Sequence, residues 1–247
     1  MGQSQLVVMH VNPALAHQMG HAEAFHECLK RHNQPHEITS DIDVEGDVHI
    51  VSGPHYALDR WRNHPRVLLL DRAYWGDDIG NISLRWLLHR KPHYPTALSA
   101  DRWQKSGARL MPLKEPDERS VLLGDFGSET SMLRDCIETH RIKAFRPHPH
   151  TPWDDCPVTT MNGALWGMFG FFTVAHGFST SALVTAGLAG LNLVCHDPDS
   201  VAARWRRDAR EQWCHDLAYL NWHEAEIADG SAWEWLNAAA TDCSAGL

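Results

Sequence analysis

Arg146 and His148 stand in the run FRPHPH (Phe145 to His150), directly after a predicted strand at Ile142 to Phe145. Proline has its own φ fixed and forces the residue before it into an extended conformation, so Pro147 and Pro149 aim the His148 ring in a set direction. An imidazole held this way can donate to a phosphate or protonate a leaving-group oxygen. A neighbouring guanidinium can pair with the same phosphate. About thirty residues further on, HGFSTS brings Gly177 and the hydroxyls of Ser179, Thr180 and Ser181 to the start of a small-residue helix, SALVTAGLAG. The open N–H groups of such a helix start, together with the hydroxyls, suit an anion. With no lysine in the turn this is not a Walker loop. Each motif also has a plainer explanation: a surface X-Pro turn with an incidental histidine, and an ordinary N-cap.

A second group follows the run RVLLLD (Arg66 to Asp71), the clearest strand of the first half. The loop DRAYWGDDIGN gathers Asp71, Arg72, Tyr74, Trp75, Asp77 and Asp78 just past its end, where open α/β sheets bind ligands. Asp71, Asp77 and Asp78 are candidate general bases for an acceptor hydroxyl, Asp71 first because the strand end fixes it best. Arg72, Tyr74 and Trp75 would hold the acceptor, the two aromatics by stacking on a base or sugar ring. Alternatively Asp71 pairs with Arg72 or caps a turn, and the aromatics fill a crevice. Histidines are numerous, at 18, so metal binding needs a test. His17 and His21 are four apart on a predicted helix and His148 and His150 form an HxH pair, but there is no HExxH and no acidic partner at a ligand spacing. The expectation is no metal.

These groups need a scaffold. Short apolar runs alternate with helical patterns, which predicts an α/β protein with mostly parallel strands. Predicted strands are Leu6 to Val11, Glu37 to Thr39, Asp47 to Val51, Arg66 to Asp71, Ile82 to Leu88, a run opening at Ser120, Ile142 to Phe145, Thr173 to Ala175 and Leu193 to Cys195. Predicted helices cover about Ala14 to His32, Tyr56 to Asn63, Ser128 to His140 with Ser128 as N-cap, Trp205 to Leu220 and Trp222 to Leu236, with Asp229-Gly230 as a break. Residues 91–118 carry several prolines and little periodicity. A division near residue 115 gives an acceptor-side lobe at 1–115 and a donor-side lobe with closing helices at 116–247. At 247 residues, 43% hydrophobic and 21% charged, the chain has the composition of a soluble globular protein. It has no apolar run long enough for a bilayer and no basic leader, so a cytoplasmic protein without a membrane partner is expected. Six cysteines without a CxxC pair read as reduced, mostly buried thiols. The net charge of −9 argues against indiscriminate nucleic-acid binding. The arginines at 134–146 and 204–210 read first as solvated helix faces.

The His-Pro element followed by a Ser-Thr turn resembles the nucleotide-binding lobe of GT-B-type glycosyltransferases, including the bacterial sialyltransferase-like and capsule-polymer families. That resemblance implies two Rossmann-like lobes and places nucleotide-phosphate contacts on His148, Pro149, Ser179, Thr180 and Ser181. DRAYWGD, FRPHP, STSALVTAGLAG and the ending WCHDLAYLNWHEAEIADGSAWEWL together resemble small phage-encoded proteins of glycosyltransferase type. The chain departs from the larger family in its shortness and in lacking an evident Glu-rich donor motif. What the resemblance implies is transfer of a sugar from a nucleotide-activated donor, of UDP or CMP type, to a hydroxyl. His148 and Arg146 would act at the leaving phosphate, and no tightly bound cofactor is needed. A hydroxymethylated pyrimidine in phage DNA is the acceptor the phage likeness suggests. A non-catalytic nucleotide or nucleic-acid binding module and a phosphate-ester hydrolase are the competing classes.

Overall fold

Val7–His10, the first strand (β1), is buried at every position, as a strand covered on both faces must be. Its flanks are parallel partners, β2 (His36–Thr39) and β3 (Val48–Ser52), in registers Val7 to His36 and Val7 to Val48. This computed structural model describes residues 5–52, 60–61, 63–72, 81–86, 102–103, 108–125, 128–198 and 200–244. Of those, the side chains of 71–72, 81–82, 85–86 and 238–244 are not described. The predicted helix at Tyr56 to Asn63 lies almost wholly outside the described residues.

The chain divides into two compact units, Met1–Ser99 with Ala218–Leu247, and Ala100–Leu217. The first holds a six-stranded sheet in the order β11-β5-β4-β3-β1-β2. β4 (Val67–Arg72) continues the parallel set, whereas β5 (Asn81–Trp86) runs antiparallel to it and β11 (Asn221–His223) antiparallel to β5. Helix α1 (Ala16–Arg31) covers one face through Ala22, Phe25, Cys28 and Leu29. Trp222, Ile227, Trp233 and Leu236 close the same core from the C-terminal segment. Placing these last thirty or so residues with the first unit differs from the division at residue 115. The reason is that β11 supplies the edge partner of β5, and Leu84 N–H donates to Leu220 O at 2.7 Å.

The second unit is a wholly parallel five-stranded sheet in the order β10-β9-β6-β7-β8. Its strands are β6 (Ser120–Leu123), β7 (Ala144–Arg146), β8 (Thr159–Thr160), β9 (Val174–Gly177) and β10 (Asn192–Cys195). Helix α2 (Thr130–His140) joins β6 to β7 and packs Leu133, Cys136 and Ile137 on Leu122 and Phe145. Its N-cap is Glu129, with no side-chain cap bond, rather than Ser128; the Ser128 N–H is taken by Asp125 Oδ1 at 2.7 Å. After α3 (Leu165–Phe169) and β9 comes α4 (Ser181–Leu188), six of whose eight residues are buried, so small residues are what let it lie close to the sheet. Arg210 opens α5 (Arg210–Ala218) and turns its buried guanidinium onto the Gly187 and Leu188 carbonyls at 2.7 to 3.2 Å. These carbonyls also accept from Gly190 N–H at 3.2 Å and Met111 N–H at 2.8 Å, and a cation beside them complements the α4 dipole. The helical stretch expected from Trp222 breaks at Asp229-Gly230 as its sequence predicts, into α6 (Glu224–Ala228) and α7 (Ser231–Ser244) with Gly230 at φ of +96°, but it opens with a strand, β11. The fold is thus α/β with two mostly parallel sheets.

Candidate functional site

The second sheet changes direction of winding between β6 and β9: β6, β7 and β8 run outward on one side, β9 and β10 on the other. A crevice opens beyond the carboxyl ends of strands at such a switch, because the two connecting helices leave on opposite sides. The loops leaving β6 and β9 carry Asp125 and Ser179, and the flanking strand β7 ends in Arg146 and the His-Pro turn. The two motifs read from the sequence therefore meet at one edge.

Asp125 ties the edge together. Its carboxylate accepts from Ser128 N–H at 2.7 Å and from Ser179 N–H at 3.1 Å, and its carbonyl accepts from the Thr151 hydroxyl at 3.1 Å. Gly124, just before it, donates to Arg146 O at 2.8 Å. A Cβ at Gly124 would stand 3.0 Å from the Phe145 ring and 3.1 Å from His148 N, so the absence of a side chain brings the two loops together. Arg146 is half-buried and donates from one terminal nitrogen to Pro147 O at 3.0 Å, while its buried Nε has no partner among the described residues. Burial lowers its pKa from the usual arginine range, yet a guanidinium keeps its charge, so a desolvated cation faces this edge. His148 Nδ1 accepts from His150 N–H at 3.3 Å, which in the neutral ring leaves Nε2 as the protonated, donating nitrogen. Pro149 is exposed and completes the turn that His148 O and Thr151 N–H close at 3.1 Å.

The hydroxyl turn divides its labour. Thr180 is the N-cap of α4, its oxygen accepting from Ala182 N–H at 3.2 Å. Ser179 donates its hydroxyl to Asp197 Oδ2 at 2.5 Å, so it is held between Asp125 and Asp197. Ser181 is exposed at the first turn of α4 and presents its hydroxyl outward. Gly177 serves packing: a Cβ there would meet the Leu183 side chain at 3.1 Å and Leu123 O at 3.3 Å. Asp125 and Asp197 were missed in the sequence, although each follows a strand directly and the strand-end rule applies to both.

In the first unit the winding changes between β1 and β3, two strands away from β5. Asp71 and Arg72 lie within β4, opposite Ser83 and Ile82 of β5, and not beyond its end. Tyr74, Trp75, Asp77 and Asp78 lie outside the described residues. The buried polar feature of this unit is instead a ring stack: His49 sits 3.7 Å from Trp61, and His10 Nε2 contacts His49 Nδ1 at 3.0 Å. Burial, then His64 and His10, lower the His49 pKa from 6.5 to about 4.

One group of metal-ligating side chains assembles among the described residues: Cys136, His140, His176 and His196. Burial pushes the Cys136 thiol up to about 11, and burial followed by His140 and His196 brings His176 down to about 4. The sequence search missed this set because its members come from a helix, a strand and a strand end.

No protein-family model and no curated protein matches the chain. Solved structures do match. The beta Kdo 2,7 transferase of Thermosulfurimonas dismutans KpsC superposes with a TM-score of 0.50 at 12% identity, covering 94% of this chain and 98% of that one. The beta Kdo 2,4 transferase of the same KpsC gives 0.50 at 11% identity, covering 90% and 93%. What is shared is the fold. The likeness runs along almost the whole chain. Among the described residues no helix is long and apolar enough to cross a membrane.

Proposed function

We propose that the protein is a glycosyltransferase that binds a nucleotide-activated sugar at the β6/β9 switch point of its second unit. The observation that carries this reading is the convergence of the Arg146-His148 turn and the α4 N-terminus on that one edge, in a fold shared end to end with two sugar transferases. Arg146 offers a desolvated charge to a phosphate, Ser181 and the first N–H groups of α4 offer neutral donors, and His148 Nε2–H offers a directed one. All three stabilise charge that grows on the departing nucleotide phosphate, which is the demand of glycosyl transfer. Asp125 and Asp197 hold the loops in place through Ser179 and leave the anion contacts to its neighbours.

The acceptor end is carried by less. Asp71, with Asp77 and Asp78 beyond it, remains our choice for the base, and Arg72, Tyr74 and Trp75 for the acceptor. A polynucleotide acceptor would need a basic track. Of the seven arginines at 134–146 and 204–210 four are occupied: Arg206 pairs with Asp208 at 2.8 Å, Arg207 with Glu115 at 2.5 Å, Arg134 with Asp155 at 3.5 Å, and Arg210 is buried, while the net charge is −9. A small-molecule or glycan hydroxyl fits this surface better than DNA. A panel of UDP- and CMP-sugars tested by thermal shift, followed by mass spectrometry of products with glycan and modified-DNA acceptors, tests the reading. Stabilisation by one nucleotide sugar and an acceptor gaining one sugar mass are expected. Release of phosphate from simple esters without an acceptor would replace this reading with hydrolysis, and nucleotide binding without any product would leave a binding module.

A further inference from the structure

Cys136 and His140 are four residues apart in α2, so both project from one face of its last two turns. His176 lies on β9, opposite Leu122 of β6, on the sheet face that α2 covers. His196 follows β10, where its N–H donates to Gly177 O at 2.8 Å, one residue past His176 on the neighbouring strand. Four side chains distant in sequence thus bring one ligand atom each to within 4.8 Å of one another. His196 Nε2 is 3.3 Å from Cys136 Sγ and 3.2 Å from His176 Nδ1.

Those short contacts are hard to explain as hydrogen bonds alone. An imidazole nitrogen has one lone pair or one proton, so His196 Nε2 makes one good hydrogen bond, and here it faces two partners. A shared cation accepts a lone pair from each. Zinc–nitrogen bonds of about 2.0 to 2.1 Å and zinc–sulfur bonds of about 2.3 Å give tetrahedral edges of roughly 3.3 to 3.6 Å. The two contacts of His196, at 3.3 and 3.2 Å, lie close to that edge length. Bringing the widest pair from 4.8 Å to that edge is a closure of about 1 Å. α2 ends at Arg141 in the left-handed region, φ of +53°, so the negative end of its dipole lies beside the cluster and favours positive charge. Cys136 and His176 are buried on the sheet side and Phe178 flanks His196 at 5.4 Å, which leaves the His140 side for entry.

We propose that Cys136, His140, His176 and His196 form a tetrahedral binding site for a zinc-type divalent cation, which fastens the end of α2 to the ends of β9 and β10. One thiolate and three imidazoles are the donor set of a borderline-soft metal, unlike the oxygen sets that take magnesium or calcium. Four protein donors fill the coordination sphere, so the site is structural. Its place has a consequence: His196 is followed by Asp197, which receives the Ser179 hydroxyl, so the metal would also steady that turn.

The test uses the full chain, stripped with a chelator and reloaded with Co(II). Expected are one Co(II) per chain, intense visible bands of tetrahedral cobalt, a thiolate charge-transfer band in the near ultraviolet, and displacement of all three signals by one equivalent of Zn(II). Cys136→Ser should abolish the charge-transfer band. His140→Ala, at an exposed position, should weaken zinc in a chelator competition by more than the roughly 10–100-fold that loss of an outer-shell partner costs. His26→Ala, at an exposed histidine of the other unit, should leave the affinity unchanged. Weak octahedral cobalt absorption, no stoichiometric binding, or binding unchanged in both Cys136→Ser and His140→Ala would overturn the proposal.

Discussion

Arg146 concentrates the functional claim at the scale of a single residue. A half-buried guanidinium whose Nε has no partner among the described residues has already been desolvated, so a phosphate arriving there meets a strong donor at little further cost. Replacing it with glutamine should lower kcat/KM for the nucleotide sugar by about 100-fold or more while leaving the thermal midpoint within a few degrees. Steady-state kinetics beside a melting curve checks this. His49 makes a different residue-level prediction, about stability. Its folded pKa of about 4 lies below the ordinary value of 6.5, so between those pH values the unfolded chain holds a proton that the folded chain does not. Stability contributed by the neutral ring is therefore present above pH 6.5 and is lost at up to about 1.4 kcal/mol per pH unit as pH falls toward 4. Urea midpoints should drop through that window, and His49→Gln should flatten the drop. An equal slope in the variant would contradict the assignment. The Arg146-His148 pair was legible in the sequence because prolines advertise a fixed turn. The roles of Ser179 and Thr180 were not, because which hydroxyl caps and which is held by a carboxylate depends on Asp125 and Asp197 from other loops.

At the scale of elements, α4 is the piece that must be seated for the site to exist. Its C-terminal carbonyls take Arg210 as an added donor, and Gly190 beyond it sits at φ of +90° with its would-be Cβ only 2.2 Å from Pro112 O. Gly190→Ala combines backbone strain with a clash against backbone and should cost about 2 to 4 kcal/mol in chemical denaturation. Arg210→Ala removes charge-assisted bonds to the Gly187 and Leu188 carbonyls, which keep their Gly190 and Met111 N–H donors, and should cost about 1.5 to 3 kcal/mol. Gly124→Ala should act more on function: it pushes at the Phe145 ring and at His148 N, so donor binding should weaken at least about tenfold with a smaller loss of stability. Strands were legible wherever an apolar run was unbroken, as in Val7–His10 and Ser120–Leu123. β11 was not, since three residues, Asn-Trp-His, at the head of a helical pattern carry no period of their own. The i, i+4 spacing of Cys136 and His140 went unread in the sequence, because its partners His176 and His196 became neighbours only through the pairing of β9 with β10.

At the scale of the whole molecule, the chain closes its first unit with its last residues. Trp233 and Leu236 of α7 lie in the same core as Phe25 and Leu29 of α1. Trp233→Ala should cost about 3 to 5 kcal/mol, with the loss of protection falling on residues 5–86 and sparing 108–217. Hydrogen exchange of the variant would show it, and uniform loss across both units would contradict the division. The alternation of strands and helices made the α/β class legible, because parallel strands buried on both faces have to be long apolar runs. The return of the C-terminus was hidden, since only tertiary pairing says which sheet a terminal helix covers. The central claim is the position of the donor site, and hydrogen exchange with and without the stabilising nucleotide tests it most directly. Slowed exchange at 124–128, 146–151 and 178–183, with β1 to β4 unaffected, is the predicted result. Protection confined to the first unit, or none in the second, would contradict it.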